Sequence, residues 1–457
     1  MNSAKTLFIA ILTSIFLIGC NDDNDLPAPP VPPPPIPDAT VRVIHASPDA
    51  PMVNVYANDA VLAGLEGVDY QVASGDIEVP EGSYDIRVEA IVPGGNLDVI
   101  DANLTLDGDT VYNIFAVDTV AEGVEALVVS NPESAVTAGN ARVQVVHVAA
   151  NAPTVDIYVT APGDDLAAAQ PLATADYKQF TGQVEVAAGD YQIRITLAGM
   201  MDVVYDSGTV TLSDGADLVV AATQNVGTGD SPVTLLVVDA NGASKIFDMN
   251  AGASIRVVHG IADAPAVDVI ANNALTLFDG PAFLQFSDYA NVAAGDYLID
   301  VAVDADNSVV AIDDAPITLM QGTFYTAIAN NLVATPDLDL LVDMPRVVAT
   351  EARVRIIHAS QATGPVDIYV TANGEIGDVD PTFADVPYNT AELAETGYVS
   401  LAPGDYFVSV TDAGIKDAPL ETGVLALEAG SIYTAIAVDL NTTDGPPQLI
   451  LLDDFVD

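Results

Sequence analysis

The chain has 457 residues, 12 Lys+Arg against 65 Asp+Glu, and a formal net charge of −53. That excess of acid argues against nucleic acid as a partner, because phosphate recognition needs a basic surface that displaces counterions. It also opposes direct adsorption to anionic lipid. Half of the residues are hydrophobic, enough for several buried cores, and the acidic surface reads as a solubilising one suited to a salty medium.

The first element in the chain is a targeting segment. Lys5 precedes an apolar stretch from Leu7 to Leu17, too short to span a bilayer as a mature helix. It ends in Leu17-Ile18-Gly19-Cys20, which resembles a bacterial lipobox. Residues 1–19 are therefore expected to be a lipoprotein signal peptide, with Cys20 lipidated. Two or more acyl chains anchor a protein where one alone does not. Cys20 is the single cysteine, so no disulfide forms within the chain. Asn21 follows it, not Asp, which favours outer-membrane sorting. Residues 20–39 hold Pro27, Pro29, Pro30 and the run Pro32 to Pro35. They are expected to be a polyproline II linker, spanning roughly 50 Å.

From residue 40 the chain repeats itself four times, over 40–136, 140–248, 253–348 and 352–457. Each repeat opens on an apolar run closed by one of the four histidines: His45, His147, His259 and His358. A Pro- or Asx-bearing turn follows, as in Pro48-Asp49-Ala50-Pro51, where proline sets φ and Asp bonds nearby backbone. Nine residues after each His stands Asn54, Asp156, Asp268 or Asp367, between β-branched residues. Next comes Gly-x-Tyr, with Tyr84, Tyr191, Tyr297 and Tyr406. A Leu then precedes a Gly turn, and two more apolar strands close the repeat. Helical spacing is nearly absent, apart from a short turn expected over Asp165 to Ala169.

Seven or eight short strands with a turn every ten or so residues predict an antiparallel β-sandwich. The fold expected is all-β: four tandem immunoglobulin-like sandwiches on a Pro-rich tether. Gly-x-Tyr before a strand resembles the tyrosine corner, whose phenol bonds upstream backbone. Short junctions predict a semi-rigid string of beads extending about 130 Å. The run Val41-Arg42-Val43-Ile44-His45-Ala46-Ser47-Pro48-Asp49-Ala50-Pro51, the later Val-Asp-Ile-Tyr, and Gly-x-Tyr followed by Tyr-Thr-Ala-Ile-Ala resemble the bacterial surface-domain family called domain of unknown function 4397. The resemblance covers all four repeats. It implies exported, often lipid-anchored and tandem domains, and carries no catalytic residue with it. Asn54 for Asp, Gln144 for Arg, Ile270 for Tyr and the shifted Pro365 depart from the pattern.

Strand parity puts Val41, Val43 and His45 on one face and Arg42 and Ile44 on the other. Each His is then expected at the end of the core face, donating to a backbone carbonyl or a carboxylate. The residue nine further on is the natural partner. The clasp candidates are thus His45 with Asn54, His147 with Asp156, His259 with Asp268, and His358 with Asp367. Metal binding is disfavoured, since one His and one Asp per repeat fall short of four zinc ligands. A hydrolase needs a nucleophile, and Ser47 and Ser360 have Ala149 and Ile261 as counterparts. Arg42, Arg256 and Arg355 are expected to form exposed cross-strand ion pairs worth little. Asp304-Ala305-Asp306-Asn307-Ser308 holds a fragment of calcium-loop spacing without its Gly and Glu, so calcium is the one cofactor left open.

These observations describe a non-enzymatic, lipid-anchored protein of the outer membrane or cell surface. Its repeats would serve adhesion, scaffolding or binding of a protein or glycan, with avidity from repetition. The alternatives are an accessory lipoprotein capturing polymers or glycans and, less favoured, a hydrolase using the repeated His/Asp pair.

Overall fold

β-branched residues dominate the repeated segments, and their stiff side chains favour a pleated backbone. The structure is a computed structural model describing residues 36–361, 363–388, 393–417, 420–439 and 448–454. Cys20, the signal segment and all but the end of the Pro-rich linker lie outside the described residues. Among those residues regular structure is almost all strand. Among the described residues one 3-10 turn, Leu166–Ala168, is capped by the Asp165 carboxylate, and no helix there is long and apolar enough to cross a membrane.

The first repeat shows the plan. Its strands are β1 (Asp38–His45), β2 (Val53–Ala57), β3 (Ala60–Val61), β4 (Ile77–Pro80), β5 (Gly82–Ala90), β6 (Leu97–Leu106), β7 (Thr110–Val117) and β8 (Glu125–Pro132). They form two sheets, ordered β4-β1-β7-β8 and β3-β2-β5-β6. β1 pairs parallel with β7, placing Val43 opposite Ile114 and His45 opposite Ala116. The sandwich is therefore not purely antiparallel. The chain crosses to the second sheet and back twice before β7, and so re-enters the first sheet running in the direction of β1. The His strands Asn140–Val148, Ala253–His259 and Ala352–Ala359 each have the same parallel neighbour. The core between the sheets holds Val41, Val53, Val55 and Val88 in the first repeat and their counterparts in the others.

The expected string of separate beads does not form. The second face of the first His sheet is apolar too. Ile44, Phe115 and Val129 pack there against Val146, Val219 and Leu236 of the second repeat. Val258 and Ile328 of the third repeat meet Ile357, Ile436 and Ile450 of the fourth in the same way. Each pair of repeats thus stacks back to back, four sheets deep. The contacts in the first pair are reciprocal. Tyr70 donates to Gln224 O at 2.7 Å, and Tyr177 accepts from Asp118 N at 2.8 Å. Gln71 donates to Thr223, while Lys178 reaches Asp118.

This stacking also corrects the reading of the arginines. Arg42, Arg256 and Arg355 are buried, because another sheet covers the face they occupy. Arg42 pairs with Asp76 at 2.5 Å, and Arg256 donates to Thr326 at 2.8 Å. Gln144 departs from the Arg pattern because it meets a neutral partner: Asn131 of the first repeat donates to it at 2.8 Å.

The two pairs also touch. Arg346, at the end of the third repeat, donates to Ala50 O at 2.7 Å and pairs with Asp69. Ala349 N donates to Asp49 O at 2.8 Å. Gly322 has φ +77°, and a Cβ there would lie 2.5 Å from the Phe247 ring of the second repeat. Both the backbone and the close approach require glycine there.

Candidate functional site: the histidine turn

Proline and Asx residues in the first three repeats, and Gly364-Pro365 in the fourth, close the turn after the His strand so that one of its carbonyls reaches the ring's Nε2. Nε2 of His45 bonds Pro51 O at 3.0 Å, His147 bonds Pro153 O at 3.2 Å, His259 bonds Pro265 O at 3.1 Å and His358 bonds Gly364 O at 3.2 Å. A carbonyl only accepts, so Nε2 carries the hydrogen and Nδ1 presents a lone pair. That lone pair takes the N–H two residues on: Ala149, Ile261 and Ser360 donate at 3.3–3.4 Å. The Nδ1 of His45 is buried with no hydrogen-bond partner. Burial holds all four rings below the usual histidine range, and pushes His45 down to about 4 despite the Pro51 bond. Each ring is neutral at pH 7.

The expected pairing of His with the residue nine positions on does not occur. Val155 and Ile157 face the core, so Asp156 between them points out of the opposite side of its sheet. His147, on the other sheet, points inward. The same parity separates His45 from Asn54, His259 from Asp268 and His358 from Asp367. The Asx side chains tie loops instead. Asp156 accepts from Thr174 and, at 2.8 Å, from Gly199 N. Asp367 accepts from Asp385 N and Gly414 N at 2.8 and 2.9 Å. Asp268 accepts from Gly280 N at 2.8 Å, and Asn54 from Gly67 N at 3.0 Å.

Neither serine meets an imidazole through its hydroxyl. Ser47 donates to Asp118 O at 2.5 Å, and Ser360 bonds Asp439. The calcium-like fragment is divided. Asp304 gathers with Asp268 and Asp279, their oxygens within 4.8 Å of one another, while Asp306 accepts from Ser308. Tyr84, Tyr191 and Tyr297 each donate to the carbonyl four residues upstream at 2.7–2.8 Å. Tyr406 packs against the fourth core.

Two repeated features escaped the sequence reading. An aromatic edge meets each His ring: Tyr70, Tyr177, Phe283 and Tyr388, at 6.1–6.3 Å between centroids. A hydroxyl then accepts from the backbone two residues before each His: Ser74 from Val43 N, Thr181 from Val145 N, Ser287 from Val257 N and Thr396 from Ile356 N, at 2.9–3.0 Å. The available signal was an aromatic followed four residues later by Ser or Thr, as in Tyr70 to Ser74, Tyr177 to Thr181 and Phe283 to Ser287. The fourth repeat stretches that spacing to eight.

All four His turns lie within the stretches that a family model recognises. The model described as Domain of unknown function (DUF4397) matches residues 39–158 and 253–369, somewhat more than half of the chain. The chain belongs to this family. Each match of the DUF4397 model starts at one His strand and runs past the next His turn to Tyr158 or Tyr369. It therefore spans one repeat and the opening of its back-to-back neighbour. No curated protein matches the chain. Among solved structures, the Bacillus anthracis TIE protein is similar at 11% identity, covering 85% of this chain and 68% of that one, with a TM-score of 0.15. The family CBM26 module CBMbc of Eubacterium rectale Amy13K, crystallised with maltoheptaose, matches at 14% identity over 41% of this chain and 92% of that one, with a TM-score of 0.14. The multi-modular glycogen-degrading pneumococcal virulence factor SpuA matches at 10% identity over 84% and 37%, with a TM-score of 0.16.

Proposed function

We propose that this protein is a lipid-anchored component of the cell envelope whose repeats present binding or scaffolding surfaces and perform no catalysis. The observation that carries this reading is the engagement of all four imidazoles. Each is neutral, buried and bonded to the carbonyl of its own turn. A general base needs a lone pair within reach of a substrate proton. In three repeats Nδ1 already accepts a backbone N–H, and in none does a serine hydroxyl approach the ring. The lipobox ending in Cys20 supports anchoring, and Asn21 supports the outer membrane.

Two experiments test the reading. Cys20→Ala is expected to move the protein from the membrane fraction to the soluble one; continued membrane association contradicts the anchor. The body from residue 37 onward, assayed on ester, glycoside and peptide substrates, is expected to turn over none. Turnover abolished by a His→Ala change at one turn would overthrow the non-catalytic reading.

A further inference from the structure

The boundary between the two back-to-back pairs is built differently from the boundary inside each pair. Among the described residues every buried apolar cluster lies within one repeat or within one pair, and none joins the first pair to the second. Two cavities lie along this boundary instead. One, of about 200 Å³, is lined by Asp69, Tyr70 and Lys245 of the first pair and by Gly322, Met344 and Arg346 of the second. The other, of about 230 Å³, has Pro51 and Val124 of the first repeat and Thr350 among its lining residues.

One strap, residues 344–350, carries a polar contact across this boundary. Arg346 donates to Ala50 O at 2.7 Å and pairs with Asp69, and Ala349 N donates to Asp49 O at 2.8 Å. The arginine is particular to this strap. Arg353 donates to Arg346 O at 3.2 Å, as Arg142 donates to Ser134 O at 2.9 Å. The two turns therefore correspond, and a serine holds the place of Arg346 between the first and second repeats. The covalent connection between the pairs narrows to one step. Asp248 accepts from Asp206 N at 2.7 Å and Thr228 donates to Ala251 O at 2.8 Å, which fixes 248–251 on the second repeat. Gly252 O accepts from Gly322 N of the third repeat at 2.8 Å, and Gln321 bonds Asp248 O beside this step. Gly252 has φ +60°, a conformation that glycine adopts without strain.

We propose that the two pairs are rigid bodies hinged at Gly252, and that Arg346 is the latch that holds them closed. Opening within a pair would expose the shared core of Ile44, Phe115, Val146 and Leu236, which the hydrophobic effect opposes. Opening between the pairs hydrates a guanidinium, a carboxylate and strap amides, and it parts cavity walls that already lack contacts. Closing buries Arg346, and its lost hydration offsets much of what the ion pair returns. The latch is thus close to balance, as a hinge closure requires. Interfaces between domains that are more polar than a core are where relative motion occurs. Opening draws the strap off the first His turn and lengthens the molecule. The inference does not rest on the envelope reading.

The test places pairs of spin labels on the body from residue 37, a compact unit without cysteine, and reads label-to-label distances by double electron–electron resonance. Ala102→Cys with Asp405→Cys spans the boundary, and Ala102→Cys with Thr209→Cys stays inside the first pair; all three sites are exposed. With Arg346 in place the spanning labels should give one distance. Arg346→Met should add a second, longer distance and leave the within-pair distance unchanged. Ala349→Pro should act in the same direction without altering charge. Position 349 is the second residue of the turn closed by Glu351 N on Val348 O, where proline fits, and the change removes the bond to Asp49 O. A spanning distance unchanged in Arg346→Met overturns the proposal. So does a spanning distance already spread with Arg346 in place, since nothing then holds the pairs closed. A within-pair distance that broadens along with the spanning one also overturns it, because Arg346 then supports the fold at large. None of these outcomes bears on Cys20 or on turnover.

Discussion

Arg355 and Asp343 form an ion pair in which both side chains are completely buried. It joins the last strand of the third repeat to the His strand of the fourth. Asp343 also accepts from Thr326 at 2.6 Å and from Tyr289 at 2.7 Å. Arg355 donates to Val342 O at 3.2 Å and lies 4.6 Å above the Tyr398 ring. Removing one member of such a pair strands the other charge away from water, at a cost of about 3–5 kcal/mol. Arg355→Met is therefore expected to lower the urea midpoint of the chain strongly. Adding Asp343→Leu should recover much of the loss, since an apolar pair of similar volume is often neutral. A double variant no more stable than Arg355→Met would contradict this account.

The separation of His from Asp across the sheet makes a quantitative prediction. His259→Ala and Asp268→Ala should each cost about 1–3 kcal/mol, because each removes a buried side chain together with its hydrogen bond to backbone. Their coupling in a double-mutant cycle should stay below about 0.5 kcal/mol, the range for residues that share no partner. Coupling of 1 kcal/mol or more would restore the direct pair. Wild-type stability in His259→Ala would remove any structural role for the ring.

Stability should fall in mild acid for a reason traceable to the histidines. Burial puts the folded pKa of His45 at about 4, below the usual 6.5, and lowers the other three in the same direction. The unfolded chain therefore binds the proton first. The contribution of each ring is complete above pH 6.5 and is lost as pH drops toward the folded value. For His45 the full contribution is on the order of 3 kcal/mol. Arg346 lowers this pKa further and Asp69 opposes it, both by charge. Protonation of surface carboxylates also changes the baseline, so the comparison is with His45→Gln. The stability gap between wild type and variant should shrink from pH 7 to pH 4.5. A gap that is constant with pH would refute the assignment.

The reciprocal tyrosines predict how the first pair of repeats holds together. Tyr70→Phe and Tyr177→Phe each remove one hydrogen bond across the back-to-back interface, worth about 1 kcal/mol. Amide exchange should rise at the ends of β7 and of its counterpart Asp217–Gln224, where Asp118 and Gln224 lose their partners. The Gly-x-Tyr corners should stay protected. Phe283 already lacks this hydroxyl, so Phe283→Leu should leave exchange at the first interface unchanged.

Much of each repeat was legible from local pattern. Alternation in Val41, Val43 and His45 put the ring on the core face, and the structure places it there. The Gly-x-Tyr spacing located the bond from Tyr84 to Pro80 O. The buried status of the arginines was harder to see, although a signal existed. Runs such as Val145-Val146-His147-Val148 are apolar at consecutive positions, the mark of a strand covered on both faces.

The sequence by itself determined the strands, the turns between them and the faces their residues occupy, because a period of two is a property of neighbouring residues. Only the tertiary structure decided what covers the second face of each His sheet and which atoms the rings bond. Ile44 packs against Val146 and Arg346 reaches Asp69 across long stretches of chain. No local period records such pairings. The partner of each His likewise depends on which sheet the next strand joins: in the opposite sheet, the Asp nine residues on faces away, and the nearer carbonyl takes the bond.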